Sequence, residues 1–434
     1  MTPIGECRPQ LEPEPKMLPP QTLQQTIDTT VREEWGRILA ALVKTLGDFQ
    51  LAEDCLQDAI ISAMQHWGKN GLPDSPAAWL ITAARRKAID RLRRDKNFAR
   101  KQAEISFLLD LDLQGDARSE VDMIPDKRLE MIFTCCHPAL AKKTRMALTL
   151  RTLGGLTTEE IAASFLDKPD AMAQRLVRAR KKIALAGIPY QVPDAAVLPE
   201  RLSSVLGVIY LIFNAGYSGV PGDALIRTDL TEEALRLARI VRHLMLQEPE
   251  TGGLLALLLL HDSRRFARTD ANGDMVPLEL QNRSRWDRAK IAEGAALLKT
   301  VLPQQRVGPY QVQAAISAIH AQSPSWSATD WPQIEAFYQL LYAMQPSPVV
   351  AINRAIAISY ASSAKAALAM LDAAASEGTL DQYQPYYAAR ADVLTRAGNR
   401  SGAKNCFETA IRLSQNVREK RFLEGKMRLL ELDS

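Results

Sequence analysis

The residues that most resemble a chemical centre lie in IFTCCHPAL, which begins at Ile132 and holds Cys135, Cys136 and His137 in succession. Thiolates and imidazoles bind zinc, and a cysteine beside a histidine can act as a nucleophile. A structural zinc site needs about four ligands, and the sequence offers no second cluster to complete one. Neighbouring side chains on a helix point about 100° apart, so these three cannot easily converge on one ion. We therefore expect no metal, cofactor or catalytic residue, and a helix that buries Ile132, Phe133 and Cys136. A redox role for the cysteines stays open.

The remaining composition indicates a globular protein of the cytoplasm. Five cysteines at positions 7, 55, 135, 136 and 406 form no CxxC pair, which favours reduced thiols over a disulfide framework. The most apolar stretches, 205–213 and 254–260, fall far short of the roughly 20 residues that span a bilayer. The proline-rich start, residues 1–25, has no apolar run and predicts a disordered tail rather than a signal peptide.

Positive charge is concentrated in two short segments. Residues 85–101 carry a net charge of +7 and residues 172–187 carry +5, so the rest of the chain carries −8 against the overall +4. Two basic segments on an otherwise acidic chain predict two places where a polyanion binds, although a basic segment can also be only a solvated face.

The elements that would position these charges are almost all helical. Apolar residues recur at spacings of three and four, and alternation typical of strands is scarce. The turn GKNGLPDSP, residues 68–76, separates two such helices. We therefore predict an all-α fold of two small helical domains and a helical C-terminal extension. The predicted boundaries are a tail over 1–25, a first domain over 26–97, an acidic linker over 98–127, a second domain over 128–188, an extension over 189–330, and helical repeats over 331–434.

The second basic segment has the pattern of a helix-turn-helix. Thr157 or Thr158 can cap its first helix, Asp167-Lys168-Pro169 form the turn, and Asp170 can cap its second helix. Early residues of the second helix in such a motif reach base edges, and later cations contact phosphates. The alternative is a basic amphipathic helix that packs on a partner. The residues predicted to contact DNA are Thr158, Met172, Gln174, Arg175, Arg178, Lys181 and Lys182.

A repeat of 36 residues appears near the C-terminus. Arg354-Ala355, with Ile358, Ala367, Leu371 and Ala374, recurs as Arg390-Ala391, with Leu394, Ala403, Phe407 and Ala410. Small residues let paired helices approach closely, and the bulky ones fill the groove between them. The pattern resembles a tetratricopeptide array, which serves as a binding scaffold.

Several motifs together resemble extracytoplasmic-function (ECF) sigma factors of RNA polymerase. DCLQDAIISAMQHW and PAAWLITAARRKAIDRLRR resemble region 2 of that family, and the helix-turn-helix resembles region 4. Arg86 replaces the usual Asn, and Ile60 the usual Phe. VIYLIFNAGYSG, QNRSRWDR and SPVVAINRAIA resemble the subgroup with a tetratricopeptide-type C-terminal extension. The resemblance covers about residues 30 to 430.

The resemblance implies a role for each surface. Asp54, Gln57 and Asp58 would bind the clamp helices of the largest polymerase subunit, and region 4 would bind the flap and read the −35 element. The implied contacts with the −10 element are Asn70, Asp74, Trp79, Arg85, Arg86, Arg91, Arg93 and Arg94.

The implied function is promoter-specific transcription initiation, without enzymatic activity, controlled by the extension. Core polymerase and promoter DNA would be the partners, in the cytoplasm and on the nucleoid when active, with no membrane association. A ligand or a regulatory protein, such as a small YCII-related protein, could bind the extension. Two alternatives are a helix-turn-helix regulator without sigma activity, and a sigma factor fused to a ligand-binding or enzymatic domain.

Overall fold

The fold is all-α, as the sequence predicts, in a computed structural model that describes residues 34–94, 127–165, 167–217, 228–270, 276–375, 380–414 and 417–432. These residues form eighteen α-helices and no strand. They divide into two compact units, Met1–Val205 and Leu206–Ser434. None of the described helices is both long enough and apolar enough to cross a membrane. The predicted tail, and the predicted linker up to residue 126, lie outside the described residues.

The first unit holds seven complete helices and the start of an eighth. They are α1 (34–46), α2 (Phe49–Asn70), α3 (Pro76–Arg94), α4 (Arg128–Cys135), α5 (Lys142–Thr152), α6 (Thr158–Ser164), α7 (Pro169–Leu185) and α8 (Leu198–Tyr217). Asp48 caps α2 by accepting from the amides of Gln50 and Leu51, and Gly71 ends it in the left-handed region at φ 79°. α2 and α3 therefore pack side by side through the short turn that their sequence predicts.

The IFTCCHPAL segment is part of the core of this unit. Phe133 and Cys135 are fully buried, as are Ile132 and Cys136, and the Cys136 thiol contacts the Thr149 hydroxyl at 3.5 Å. Burial raises the pKa of Cys136 to about 11, so its thiolate is disfavoured. Among the described residues there is no group of three or more side chains that could hold a metal ion. The packing role expected of Ile132, Phe133 and Cys136 is confirmed.

Region 157–185 forms the expected helix-turn-helix. The Thr157 hydroxyl accepts from the Glu160 amide at 3.1 Å, and the Glu160 carboxylate accepts from the Thr157 amide at 2.7 Å, so α6 begins with a reciprocal capping box. The expectation that Asp170 caps α7 is wrong. Pro169 occupies the first turn of α7, and the N-cap residue is Lys168, which makes no side-chain capping bond.

The second unit consists of helices packed in chain order, after the end of α8. They are α9 (Thr228–Leu244), α10 (Pro249–Asp262), α11 (Arg288–Val301), α12 (Pro309–Gln322), α13 (Trp331–Met344), α14 (Pro348–Ala361), α15 (Ala364–Ala375), α16 (Gln384–Arg396), α17 (Arg400–Leu413) and α18 (Val417–Leu432). α10 is buried along nearly its whole length between α11 and α12. Gly253 permits this, because a Cβ there would lie 2.7 Å from the Gln311 amide nitrogen.

The 36-residue repeat corresponds to two consecutive helix pairs, α14–α15 and α16–α17. The bulky landmarks Leu371 and Phe407 are fully buried, and Ala374 is only partly buried. The other small landmarks are fully buried: Ala355, Ala367, Ala391, Ala403 and Ala410. The repeated arginine has a repeated partner: Arg354 donates to Glu335 on α13, and Arg390 donates to Asp372 on α15. Each arginine therefore ties its helix pair to the preceding helix.

Candidate polymerase and promoter interfaces

A cavity of about 850 Å³ opens where α2 ends, the turn follows and α3 begins. On its wall the Trp79 ring stacks on His66 at 5.6 Å between ring centroids, and Trp79 meets Trp67 edge to face at 5.4 Å. Arg86 and Lys87 line the same cavity. An aromatic surface beside cations is the composition that binds an unpaired base and its phosphate.

The structure brings together only part of the set predicted for the −10 element. Asp74, Trp79 and Arg86 line the cavity. Asn70 is exposed, and its amide lies 3.1 Å from the His66 ring. Arg93 is exposed on α3. The side chain of Arg94 lies outside the described residues.

Two arginines of that set need correction. Arg85 is 8% exposed on the buried side of α3, so it cannot follow a DNA backbone as predicted. Arg91 donates to Asp54 at 3.1 Å and to Asp58 at 2.7 Å. It therefore crosses from α3 to the acidic side of α2 instead of adding to a DNA-facing row.

His66 and Lys87 also line the cavity, and sequence reasoning missed both. Lys87 sits in the basic run of α3, one residue after Arg86. His66 lies one α-helical turn before Asn70. Their spacing from Asn70 and Arg86, which were predicted, was the signal in the sequence that could have identified them.

The surface predicted to bind polymerase is exposed, but it is not a simple row of free acids. Gln57 is exposed, whereas Asp54 and Asp58 are both half-exposed and share Arg91. Gln50 donates to Asp54 at 2.8 Å. The surface of α2 thus presents carboxylates held in fixed positions by a neighbouring guanidinium.

α7 separates its residues into a buried and an exposed face. Met172, Leu176, Ala179 and Ile183 are buried. Four of the residues predicted to contact DNA are exposed: Gln174, Arg178, Lys181 and Lys182. Thr158, at the start of α6, is half-buried.

The structure corrects the prediction for two residues of α7. Met172 has no exposed surface, so it cannot contact a base edge as predicted. Arg175 is half-buried and pairs with Asp167 in the turn, which Lys143 also contacts at 2.9 Å. The hydrogen bond from Arg175, followed by that from Lys143, lowers the pKa of Asp167. Arg175 thereby fixes the turn between the two helices.

Glu53 precedes Asp54 in the sequence, but it does not lie on the exposed side of α2. Its side chain is 5% exposed and forms ion pairs with Arg151 on α5 and Arg180 on α7. Glu53 lies between Ala52 and Cys55 of the buried stripe. An acid at the edge of an apolar stripe signals a buried ionic partner, but it does not identify that partner.

Comparison with known proteins agrees with this geometry. The family description Sigma-70 region 2 matches residues 31–98, and Sigma-70, region 4 matches residues 130–183. The ECF RNA polymerase sigma factor SigK of Mycobacterium ulcerans is 24% identical over 153 residues, which cover 35% of this chain and 78% of that protein. SigK of Mycobacterium tuberculosis strain H37Rv is 27% identical over 129 residues, which cover 29% of this chain and 67% of that protein.

The chain belongs to the sigma-70 family of RNA polymerase sigma factors, and it is of the ECF type. It is a DNA-binding protein of transcription initiation. α1–α3 form its region 2, and α4–α7 form its region 4.

The sigma factor also carries a C-terminal extension. A family of unknown function matches residues 201–302. An uncharacterized protein of Rhizobium meliloti is 40% identical over 407 residues, which cover 92% of this chain and 95% of that protein, so the extension is shared with that relative. No solved structure matches the chain.

Proposed function

We propose that the chain binds core RNA polymerase through α2 and directs initiation at promoters with separate −10 and −35 elements. The observation that carries this proposal is that the two regions of the first unit present different kinds of surface. Region 2 has an aromatic, cation-lined cavity suited to unpaired DNA, and region 4 has an exposed helix face suited to a duplex groove. A helix-turn-helix regulator without sigma activity would need neither a cavity for unpaired DNA nor an acidic surface on α2 for polymerase.

The cavity supports recognition of an unpaired base from the −10 element. Extruding a base from the duplex costs a few kcal/mol. Stacking on an aromatic ring returns about 1–3 kcal/mol per base, and Trp79 offers such a ring. Arg86 and Lys87 line the same cavity, so we expect them to contact the adjoining phosphates. Their contribution is independent of sequence and decreases as the salt concentration rises.

The exposed face of α7 supports recognition of the −35 element in the major groove. Gln174 lies in the second turn of α7, where a glutamine amide can bond to adenine on two atoms. Arg178, Lys181 and Lys182 follow along the helix, where cations meet phosphates. We expect Asp54, Gln57 and Asp58 to bind the clamp helices, and region 4 to bind the flap.

We further propose that the helical extension controls this activity in the cytoplasm, without catalysis of its own. The extension contains a cavity of about 380 Å³. Its polar lining consists of three tyrosines, a histidine, a serine and an asparagine: Tyr210, Tyr310, Tyr338, His261, Ser317 and Asn353. A chamber of this size lined by neutral polar groups is suited to a small ligand. This favours a ligand-binding extension over an enzymatic one. A small YCII-related protein is the alternative regulator.

Transcription in vitro tests the proposal. Purified chain and core polymerase are supplied with a library of promoter fragments, and the transcripts are mapped to their start sites. We expect start sites that depend on the chain and share two upstream elements. The Gln174→Ala variant should change the −35 preference alone, and the Trp79→Ala variant should impair initiation at all promoters. The Glu293→Gln variant, in an exposed ion pair of the extension, serves as the control. DNA binding without chain-dependent transcription would support the regulator instead.

A truncated chain tests control by the extension. It should end at residue 205 rather than earlier, because Arg201 donates to the Phe133 carbonyl and Ser204 donates to the Cys136 carbonyl. Transcription above that of the full chain would indicate inhibition by the extension, and loss of transcription would indicate that the extension is required. If the truncated and the full chain support equal transcription, and a ligand changes neither, control by the extension is contradicted.

A further inference from the structure

Two turns of the extension bring three arginines close together. The turn Arg265–Ala267 follows α10, and the turn Arg283–Arg285 precedes α11. The Asp287 amide donates to the Ser263 carbonyl at 2.8 Å, which holds the second turn against the end of α10. We name the three arginines at these turns the arginine cluster: Arg264, Arg268 and Arg283.

The arginine cluster carries positive charge that its surroundings do not balance. None of its members forms an ion pair with a carboxylate in the part of the chain that the structure describes. The neighbouring Arg265 shows the usual arrangement, because it pairs with Asp262 at 2.7 Å and with Glu232 at 3.0 Å. Guanidiniums stay charged at neutral pH, and a partly buried charge is costly unless it is paired. The cluster is therefore suited to an anion from outside the chain.

Two members of the arginine cluster are held in place by aromatic rings and backbone carbonyls. The Arg268 guanidinium lies over the Tyr217 ring, 3.7 Å from its centroid, and donates to the Tyr217 carbonyl at 2.6 Å. The Arg283 guanidinium lies over the Trp286 ring, 4.5 Å from its centroid, and donates to the His320 carbonyl at 2.6 Å. These contacts orient both side chains, but neutral groups leave the two charges unbalanced.

The members of the cluster also act on one another. Burial lowers the pKa of Arg268 and that of Arg283, and the charge of Arg264 lowers both further. Burial, followed by the charges of Arg264 and Arg283, lowers the pKa of His320 to about 4, so this ring is neutral at neutral pH. Arg264 therefore lies within electrostatic reach of both other arginines and of His320. Like charges repel, and an anion bound among them would relieve that repulsion.

Two buried nitrogens at the cluster have no hydrogen-bond partner within the described residues. They are Nη2 of Arg283 and Nδ1 of His320. Most buried polar groups in proteins have such a partner, so these nitrogens indicate an acceptor that the protein itself does not supply. A small anion can reach them after a modest movement of the Arg283 side chain, whereas the surface of a folded protein or of duplex DNA cannot.

We propose that the arginine cluster binds a phosphate group carried by a small molecule. A phosphate group carries a charge of about −1.5 to −2 on three acceptor oxygens, and the fork of a guanidinium matches two such oxygens. Three guanidiniums supply enough charge and enough donors for it. The site is distinct from the cavity of about 380 Å³, which has no arginine among its described lining residues. The proposal does not depend on polymerase binding or on promoter recognition by the first unit.

Isothermal titration of the full chain tests the proposal. The probes are inorganic phosphate and pyrophosphate, with malonate as a dianion that carries carboxylates instead, all at one ionic strength. Arg264→Gln removes a half-buried member whose side chain makes no hydrogen bond within the described chain, so folding should survive the change. Arg268→Gln removes the member held by Tyr217. Arg242→Gln is the matched control, because Arg242 is a half-buried arginine of α9 that likewise donates to a backbone carbonyl, that of Leu246.

We expect Arg242→Gln to bind both phosphate probes as tightly as the wild type does. Each cluster variant should bind them at least about tenfold more weakly, because it lacks a charged donor. Pyrophosphate should also raise the unfolding temperature of the wild type more than that of Arg264→Gln, since a ligand stabilises the folded chain in proportion to its affinity.

Three results would overturn the proposal. The first is that no form binds either phosphate probe, or that the wild type and both folded cluster variants bind them equally, which would place the probes on the basic helices of regions 2 and 4. The second is that malonate binds as tightly as phosphate, which would remove the assignment to phosphate. The third is that polyglutamate binds at the cluster while pyrophosphate does not, which would indicate an acidic protein partner instead of a small molecule.

Discussion

Substitution of Met172 and of Gln174 should have opposite effects, although both lie near the start of α7. Residues two apart on a helix point about 200° apart, and the structure buries Met172 completely while it exposes Gln174. Met172→Ala removes buried atoms and leaves a cavity, so the free energy of unfolding should fall by about 2–5 kcal/mol. Gln174→Ala should leave that free energy within about 0.5 kcal/mol of the wild type. It should instead remove a base contact of about 1–3 kcal/mol, roughly 5- to 150-fold in preference between −35 sequences.

Urea unfolding and start-site mapping on a library with randomised −35 elements separate the two effects. At a temperature where Met172→Ala remains folded, its sequence preference should match that of the wild type. A Met172→Ala chain of unchanged stability with an altered −35 preference would refute the assignment of faces on α7. So would a Gln174→Ala chain that loses stability and keeps its preference.

Four further outcomes follow from the same geometry. Arg178→Ala should weaken promoter binding about equally for all sequences and reduce the slope of log affinity against log salt by about one, as titrations at several salt concentrations would show. Trp79→Ala should retain duplex binding but lose promoter opening, as permanganate reactivity of unpaired thymines would show. Thr157→Ala removes half of the capping box and should lower the free energy of unfolding by about 1 kcal/mol in a urea titration. Burial lowers the pKa of His261 from 6.5 to about 3, so between these values only the unfolded chain binds the proton. Stability of the extension should therefore fall as pH falls below about 6.5, by up to about 1.4 kcal/mol per pH unit, and urea titrations of His261→Gln should show a smaller slope.

Patterns with a local cause were predictable from the sequence. The capping box at Thr157, the break after Asn70 and the 36-residue repeat each depend on residues close together in the chain. Burial of Cys136 was predictable because it follows Ile132 and Phe133 by four and three residues and so shares their helix face. The basic segments were correctly found, but their charge alone did not show which members face solvent.

Features that depend on distant parts of the chain were not predictable in this way. Arg85 and Arg91 have the same type and belong to the same run, yet one is buried and the other crosses to Asp54 and Asp58. Glu53 finds its partners about 100 and 127 residues away, and no periodicity encodes that pairing. Such contacts arise only when two domains are fitted together, and a single sequence records the residues without their partners.

Start-site mapping with purified chain, core polymerase and a randomised promoter library most directly tests the claim that the chain directs promoter-specific initiation. We predict transcripts that appear only with the chain and that share two upstream elements, with the −35 preference changed by Gln174→Ala. Transcription that does not depend on the chain, or that depends on it without any shared upstream element, would contradict the claim.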